Sequence, residues 1–265
     1  MKLGLVTYNL AKDWDLERII EMCSRHGFQG VELRTTHAHG VEVELDADQR
    51  AEVRRRFDRS PVELAGLGSA FEYHSNDPEE VRRNIKGTRR YARLAADVGA
   101  PGIKVRPNGL TVEEGVPEEQ TLRQIGESLA ECAEHAAGLG VEVRMEVHGG
   151  GTKEPSRMMR IMEHADHPNA YVCWNSNASE VVDGSIEGNF ELLADRIGLV
   201  HMRDLCAGDY PWLELLRLLR QSGYGGYCLA EIPASDQPDR IMDYYRALWD
   251  AYHRLLDLEG VPRAE

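Results

Sequence analysis

Four residues spaced at nearly regular intervals carry side chains that can share one site. Glu146, Asn175, His201 and Glu231 lie 29, 26 and 30 positions apart in the 265-residue chain. Two carboxylates, an imidazole and an amide oxygen make a mixed oxygen–nitrogen donor set. Such a set suits Mn2+ first, and Mg2+, Co2+ or Zn2+ as well. Taken singly, each residue reads as structural: Glu146 and Glu231 are also neutralised if they pair with Arg144, Arg203 or Lys104. The set gains meaning from its register with the elements that carry it.

Those elements alternate. Short apolar runs at Leu3–Tyr8, Gly30–Arg34, Glu63–Leu67, Gly102–Arg106, Val141–Val147, Ala170–Trp174, Gly198–Met202 and Gly226–Ile232 predict eight strands. Several are rich in Val, Leu and Ile, as in strands buried on both faces. Helical patterns follow, including Leu16–His26 with Asp15 as N-cap, Pro78–Val98 between Asp77 and Gly99, Glu118–Leu139, and Asp236–Leu258. Eight strand–helix units of about 33 residues match the period of a (β/α)8 TIM barrel. An open doubly wound sheet is the runner-up, but Thr7-Tyr8-Asn9-Leu10-Ala11 has no glycine-rich fingerprint after the first strand. The expectation is one α/β domain over residues 1–260, with a tail at 261–265.

In such a barrel, chemistry sits at the C-terminal ends of the strands. Those ends present Tyr8 and Asn9; Glu32, Arg34, His37 and His39; Ser69, Glu72 and His74; Lys104 and Arg106; Glu146 and His148; Asn175 and Asn177; His201, Arg203 and Asp204; and Glu231. Burying so many polar groups separately is costly, and a shared polar site accounts for them. His148, Lys104, Arg106, Arg203, Glu32 and His74 are the candidate substrate-binding residues. His148 either bonds a substrate hydroxyl or orients Glu146. Lys104 and Arg106 either bind an acidic group or neutralise Glu32 and Glu72. His37 and His39 form an HxH pair, open to a metal, substrate or capping role. Trp14 and Trp212 fit ordinary packing better than stacking on a sugar. The loops Pro107–Pro117 and Gly149–Pro155 are mobile connections or lids.

Composition narrows the partners. The chain has 31 Lys and Arg against 45 Asp and Glu, a formal net charge of −14. Nucleic-acid binding needs a basic footprint, and the one dense run, Arg54-Arg55-Arg56 with Arg59, reads as a solvated helix face. The five cysteines are odd in number and show no CxxC spacing, which fits a reducing compartment. The first ten residues read as a strand, not a signal peptide. No apolar run approaches the roughly 18 residues of a membrane span. A cytoplasmic protein with a small-molecule partner is expected, with no nucleic acid and no membrane. The oligomeric state stays open, a homo-oligomer included.

The residues also resemble a known family. Val31-Glu32-Leu33, Glu146-Val147-His148, Val200-His201-Met202-Arg203-Asp204 and Glu231 resemble the xylose isomerase-like barrel superfamily, in particular its sugar phosphate isomerase/epimerase members. The likeness spans nearly the whole chain, and the strand-seven pattern is its most specific part. It implies a divalent metal held by Glu, Asp, His and Glu at the ends of strands five to eight, with the two Glu as acid/base pair. Carried over, that assigns Glu146, His201 and Glu231 as ligands and Glu146 and Glu231 as catalytic residues. Asn175 stands where the family has Asp. Its carbonyl oxygen is still a donor, but the site loses a charge, and a metal-poor or metal-free site stays open.

The chemistry implied is carbohydrate isomerisation or epimerisation. A proton α to a carbonyl is too weakly acidic for an unaided carboxylate, so the developing enediolate must be stabilised. One Glu removes the proton and the other returns it. The same first step followed by loss of a β-substituent makes a lyase or dehydratase acting on a keto-sugar or keto-inositol. A non-catalytic sugar-binding barrel is the third reading. His148-Gly149-Gly150-Gly151 is like a lipase oxyanion loop, but no GxSxG elbow accompanies it. Apurinic-site endonuclease activity, also found in the superfamily, is disfavoured by Asn175, by Ala178 where a His is expected, and by the negative charge.

Overall fold

The computed structural model describes residues 1–263; Ala264 and Glu265, at the end of the predicted tail, lie outside the described residues. Eight parallel strands close into a barrel in sequence order, with β1 (Lys2–Val6) bonded to both β2 (Gly30–Arg34) and β8 (Tyr227–Ala230). Between them run β3 (Glu63–Glu72), β4 (Gly102–Arg106), β5 (Glu142–Glu146), β6 (Ala170–Trp174) and β7 (Ile197–Met202). The outer helices are α1 (Leu16–Arg25), α2 (Ala47–Asp58), α3 (Pro78–Val98), α4 (Glu118–Ala137), α5 (Pro155–Ala165), α6 (Glu187–Glu191), α7 (Trp212–Gln221) and α8 (Pro238–Leu258). The predicted (β/α)8 architecture is the observed one.

Local chemistry sets the helix ends. Asp15 accepts from the Arg18 amide at 2.8 Å to open α1, and Asp46 and Gln49 form a reciprocal capping box on α2. Pro78 follows the Asp77 cap of α3, and Gly99 ends that helix at φ +83°, a left-handed turn that glycine adopts without steric cost. On α1, Leu16, Ile19, Met22 and Cys23 recur at helical spacing and face the sheet. Arg55 and Arg56 pair with Glu52 on the exposed side of α2, so the basic run is a solvated face.

Strand periodicity does the work of positioning. Outward residues such as Leu3, Leu5, Val31, Leu33, Ile103, Val105, Val143 and Met145 join the main core beneath the helices. Inward residues Val6, Ala65, Cys173, Leu199 and Leu229 form a separate cluster. Because side chains alternate with period two, residues two positions beyond an inward residue also point inward. Cys173 therefore leads to Asn175, Leu199 to His201 and Leu229 to Glu231. The barrel floor is apolar and its mouth is polar.

Several boundaries differ from expectation. β3 runs five residues beyond Leu67, because Arg34 pairs with Gly68 and Glu72 with Arg106, so neighbouring strands hold a segment of weak intrinsic propensity in the ladder. β1 and β8 stop at Val6 and Ala230, and their polar ends belong to the mouth. The Pro107–Pro117 loop contains a single 3-10 turn at Val112–Glu114. Trp14 and Trp212 are buried packing residues, and all five cysteines are free, four of them buried.

Candidate active site

A cavity of about 280 Å³ opens at the C-terminal mouth of the barrel, near the lower limit of about 300 Å³ for small-ligand sites. Lys104 and Arg106 from β4, Glu146 and His148 from the end of β5, Asn175 after β6, His201 on β7 and Glu231 after β8 all line it. Seven of the ten sequence-predicted site residues thus meet in one place. Val6, Tyr8, Arg34 and Asn177 complete the wall. The sequence places Tyr8, Arg34 and Asn177 at strand ends without giving them a role; the signal was present, since Arg34 lies two positions after Glu32 and Asn177 two after Asn175.

Four charged groups form the inner layer. Lys104 Nζ donates to Glu146 Oε2 at 2.7 Å. His201 lies between two carboxylates, with Nδ1 3.4 Å from Glu146 Oε1 and Nε2 3.4 Å from Glu32 Oε1. Lys104, Glu146, His201 and Glu32 are each 5% exposed or less. Glu32 lies just below the cavity wall, fitted over Gly68: a Cβ on that glycine would stand 2.6 Å from Glu32 Oε1.

This packing separates the carboxylates electrically. Burial raises the pKa of Glu146, but the Lys104 ammonium and His201 outweigh it and hold the carboxyl well below its ordinary range. Glu32 is likewise held low, burial being outweighed by His201 and then Lys104. Burial opposes charge on His201, yet the Cys173 sulfur, Glu32 and Glu146 push its pKa well above the ordinary value. Cys173 is itself pushed up by burial and stays a neutral thiol, so the two carboxylates are the physical cause. Glu231 moves the other way: burial raises its pKa, and it has no cationic hydrogen-bond partner among the described residues. His148 is lowered by burial, with Lys104 and Arg106 adding to the effect.

Two predicted site residues are not brought to the cavity. Arg203, the residue after β7, is drawn away from the cavity by partners of its own. Its Nε donates to the Ser176 carbonyl at 3.0 Å, its Nη1 pairs with Asp209, and its guanidinium lies over Tyr210 and Trp212. His74 lies past β3 and lines a neighbouring depression with Glu72, Asn108 and Glu114. The HxH pair is not a metal site either. His37 Nδ1 bonds the Thr7 hydroxyl at 2.9 Å. His39 accepts from the Val41 amide and donates from Nε2 to the Arg34 carbonyl at 2.8 Å. It is a loop cap.

The donor set does not fit a resident divalent ion. Glu146 Oε2 is taken by an ammonium and Asn175 brings no charge, while the two His201 nitrogens lie 3.4 Å from carboxylate oxygens without hydrogen-bonding them. Among the described residues, no group of three or more His, Cys, Asp and Glu side chains is arranged to hold a metal. Asn175 Oδ1 is buried without a hydrogen-bond partner, which leaves it free to accept from a ligand hydroxyl. A larger apolar groove of about 590 Å³ runs beside α8, lined by Leu205, Ile232, Tyr244 and Leu248. It holds no comparable set of acid, base and cation. Among the described residues no helix is long and apolar enough to cross a membrane.

The fold has many solved counterparts. D-psicose 3-epimerase from Clostridium cellulolyticum H10, solved with D-tagatose, is similar at 16% identity and a TM-score of 0.78, over 97% of this chain and 99% of that one. The IOLI protein, solved with a zinc atom, is similar at 15% identity and a TM-score of 0.76, over 97% of each chain. The protein described as the probable 3-DHS dehydratase AsbF from Bacillus anthracis is similar at 15% identity and a TM-score of 0.73, over 94% of this chain and 99% of that one. No curated protein matches the sequence. The family model for the xylose isomerase-like TIM barrel matches residues 20–250, and the chain belongs to that family.

Proposed function

We propose that this protein is a carbohydrate isomerase or epimerase that abstracts a proton α to the carbonyl of a small keto-sugar. The observation that carries the reading is the pair Glu146 and Glu231, which face one small cavity with their pKa values driven in opposite directions. Two titratable groups separated in this way are suited to distinct acid and base roles. Glu231, the more basic carboxylate, takes the proton from carbon. The C–H electron pair becomes the new C=C bond, and the carbonyl π pair moves onto oxygen, giving an enediolate. The Lys104–Glu146 pair holds the proton that returns. Delivery to the same carbon from the opposite face gives the epimer; delivery to the neighbouring carbon, with a proton shift between oxygens, gives the isomer. Asn175 and His148 are placed to bond substrate hydroxyls, and Arg106 an acidic substituent.

Similar folds among a sugar epimerase and a dehydratase support both this reading and its alternative. In the alternative, the same enediolate expels a β-hydroxyl and the protein is a lyase acting on a keto-sugar or keto-inositol. Incubating the protein with a ketose panel in deuterium oxide separates them. Deuterium gained at an α-carbon without loss of water supports isomerase or epimerase action, and a dehydrated enone supports the lyase. Saturable sugar binding with no exchange on any substrate would overturn both in favour of a binding protein.

A further inference from the structure

We infer that the Lys104 ammonium takes the place of a divalent cation in this barrel, so that the centre works without a metal and Lys104 is the electrophile that stabilises the enediolate oxygen. The inference rests on the proposed site and names how that site handles negative charge.

Three observations carry it. First, Lys104 Nζ is buried at the cavity wall and spends one donor on Glu146 Oε2 at 2.7 Å. An ammonium has three N–H donors, and no other hydrogen bond from Lys104 Nζ occurs among the described residues. Two donors are left for an oxygen in the cavity. Second, the carboxylate oxygen a metal would need is already occupied. Glu146 Oε2 is held by the Lys104 ammonium at 2.7 Å, with both side chains buried. A divalent ion entering there would have to displace that ammonium.

Third, the wall carries two more cations. Arg34 and Arg106 face the same cavity. Arg34 has no acidic partner within salt-bridge distance among the described residues, and Arg106 has only Glu72 at 3.3 Å. Asn175, the neutral residue after β6, removes the carboxylate that would offset them. Three cations, Arg34, Lys104 and Arg106, against the two carboxylates Glu146 and Glu231 on the wall disfavour a free cation and stabilise a developing oxyanion, with the donors fixed before the reaction begins. In the reaction step, as Glu231 takes the α-proton, the charge that reaches the carbonyl oxygen is met by a Lys104 N–H. Lys104 keeps its proton through this step, so the Lys104–Glu146 pair still holds the proton that returns to carbon.

The test is a direct metal titration with an exchange assay beside it. Full-length protein stripped with EDTA is titrated with Mn2+, followed by calorimetry and by the electron paramagnetic resonance of free Mn2+. The expected result is no binding tighter than about 1 mM. Lys104→Met combined with Asn175→Asp should bind Mn2+ at least tenfold more tightly, because it removes the ammonium and adds a charged donor. Stoichiometric, tight Mn2+ binding by the wild type overturns the inference, and so does unchanged affinity in a folded double variant. If that variant does not fold, the wild-type titration decides alone. In the exchange assay, α-proton exchange that survives EDTA supports the inference, and exchange that vanishes with EDTA and returns with Mn2+ overturns it while leaving the isomerase reading intact. Absence of exchange under every condition sinks the isomerase reading, and the binding titration still decides the metal question.

Discussion

Lys104 and Glu146 form a buried ion pair, Nζ to Oε2 2.7 Å, between the ends of adjacent strands at the mouth of the barrel. Removing one partner of such a pair strands the other charge in a low-dielectric site, at a cost of about 3–5 kcal/mol. Glu146→Gln keeps an acceptor but not the charge. It is expected to lower the thermal midpoint as well as lose α-proton exchange. Glu231→Gln removes no ion pair, so exchange should fall by about 10²–10⁴ while the melting curve stays close to wild type. Full exchange activity in either folded variant would rule out the two-carboxylate mechanism.

The pH dependence follows from Glu231. Burial raises its pKa above the ordinary carboxylate value, and a general base works only when ionised. Exchange measured as kcat/KM should therefore rise with pH through a midpoint above the ordinary value of about 4.3. The rise reports a single ionisation, because Glu146 and Glu32 are held in their charged forms by Lys104 and His201. A profile flat from pH 4 to pH 8 would remove Glu231 from the role of base.

Glu180 makes a stability prediction away from the reacting groups. It is fully buried after β6, accepts from Tyr210 Oη at 2.5 Å and Asn177 Nδ2 at 3.0 Å, and burial raises its pKa from 4.5 to about 7. The folded protein therefore holds a proton that the unfolded chain releases between about pH 4.5 and pH 7. The stabilisation is complete below that window and is lost as pH rises through it, by as much as about 3 kcal/mol at 1.36 kcal/mol per pH unit. Glu180→Gln keeps the acceptor for Tyr210 and removes the ionisation. Urea unfolding from pH 4.5 to pH 8 should show the variant gaining on wild type as pH rises, and parallel curves would refute the assignment.

What was legible in the sequence was the part governed by short-range periodicity. Buried strands recur about every 33 residues, and alternation along each carries Asn175, His201 and Glu231 inward from Cys173, Leu199 and Leu229. The misplacements fall past strand ends, where particular contacts decide. Arg203 follows its hydrogen bond to Ser176, whereas Asn175 and Glu231, also one residue past their strands, stay inward, and His74 is two residues beyond β3. The choice between Lys104 as substrate ligand and Lys104 as partner of Glu146 was not legible, because 42 residues of sequence separate a contact that only the closed barrel creates. That the ammonium would sit on Glu146, one of the expected metal donors, was hidden for the same reason.

Gly68 tests whether the inner layer depends on the backbone beneath it. A Cβ at this position would lie 2.6 Å from Glu32 Oε1 and 3.2 Å from its carboxyl carbon. Glu32 is fully buried and faces His201 Nε2 at 3.4 Å, so it has little room to retreat. Gly68→Ala should therefore cost about 1–3 kcal/mol, the usual price of overpacking. It should also loosen the carboxylate that helps keep His201 protonated. The imidazole pKa, followed by nuclear magnetic resonance, is then expected to fall in the variant, whereas Gly115→Ala, at a left-handed glycine with no atoms within 4 Å, should strain only its own loop and leave His201 unmoved. An unchanged His201 titration in a destabilised Gly68→Ala protein would show that Glu32 does not set the charge of that imidazole.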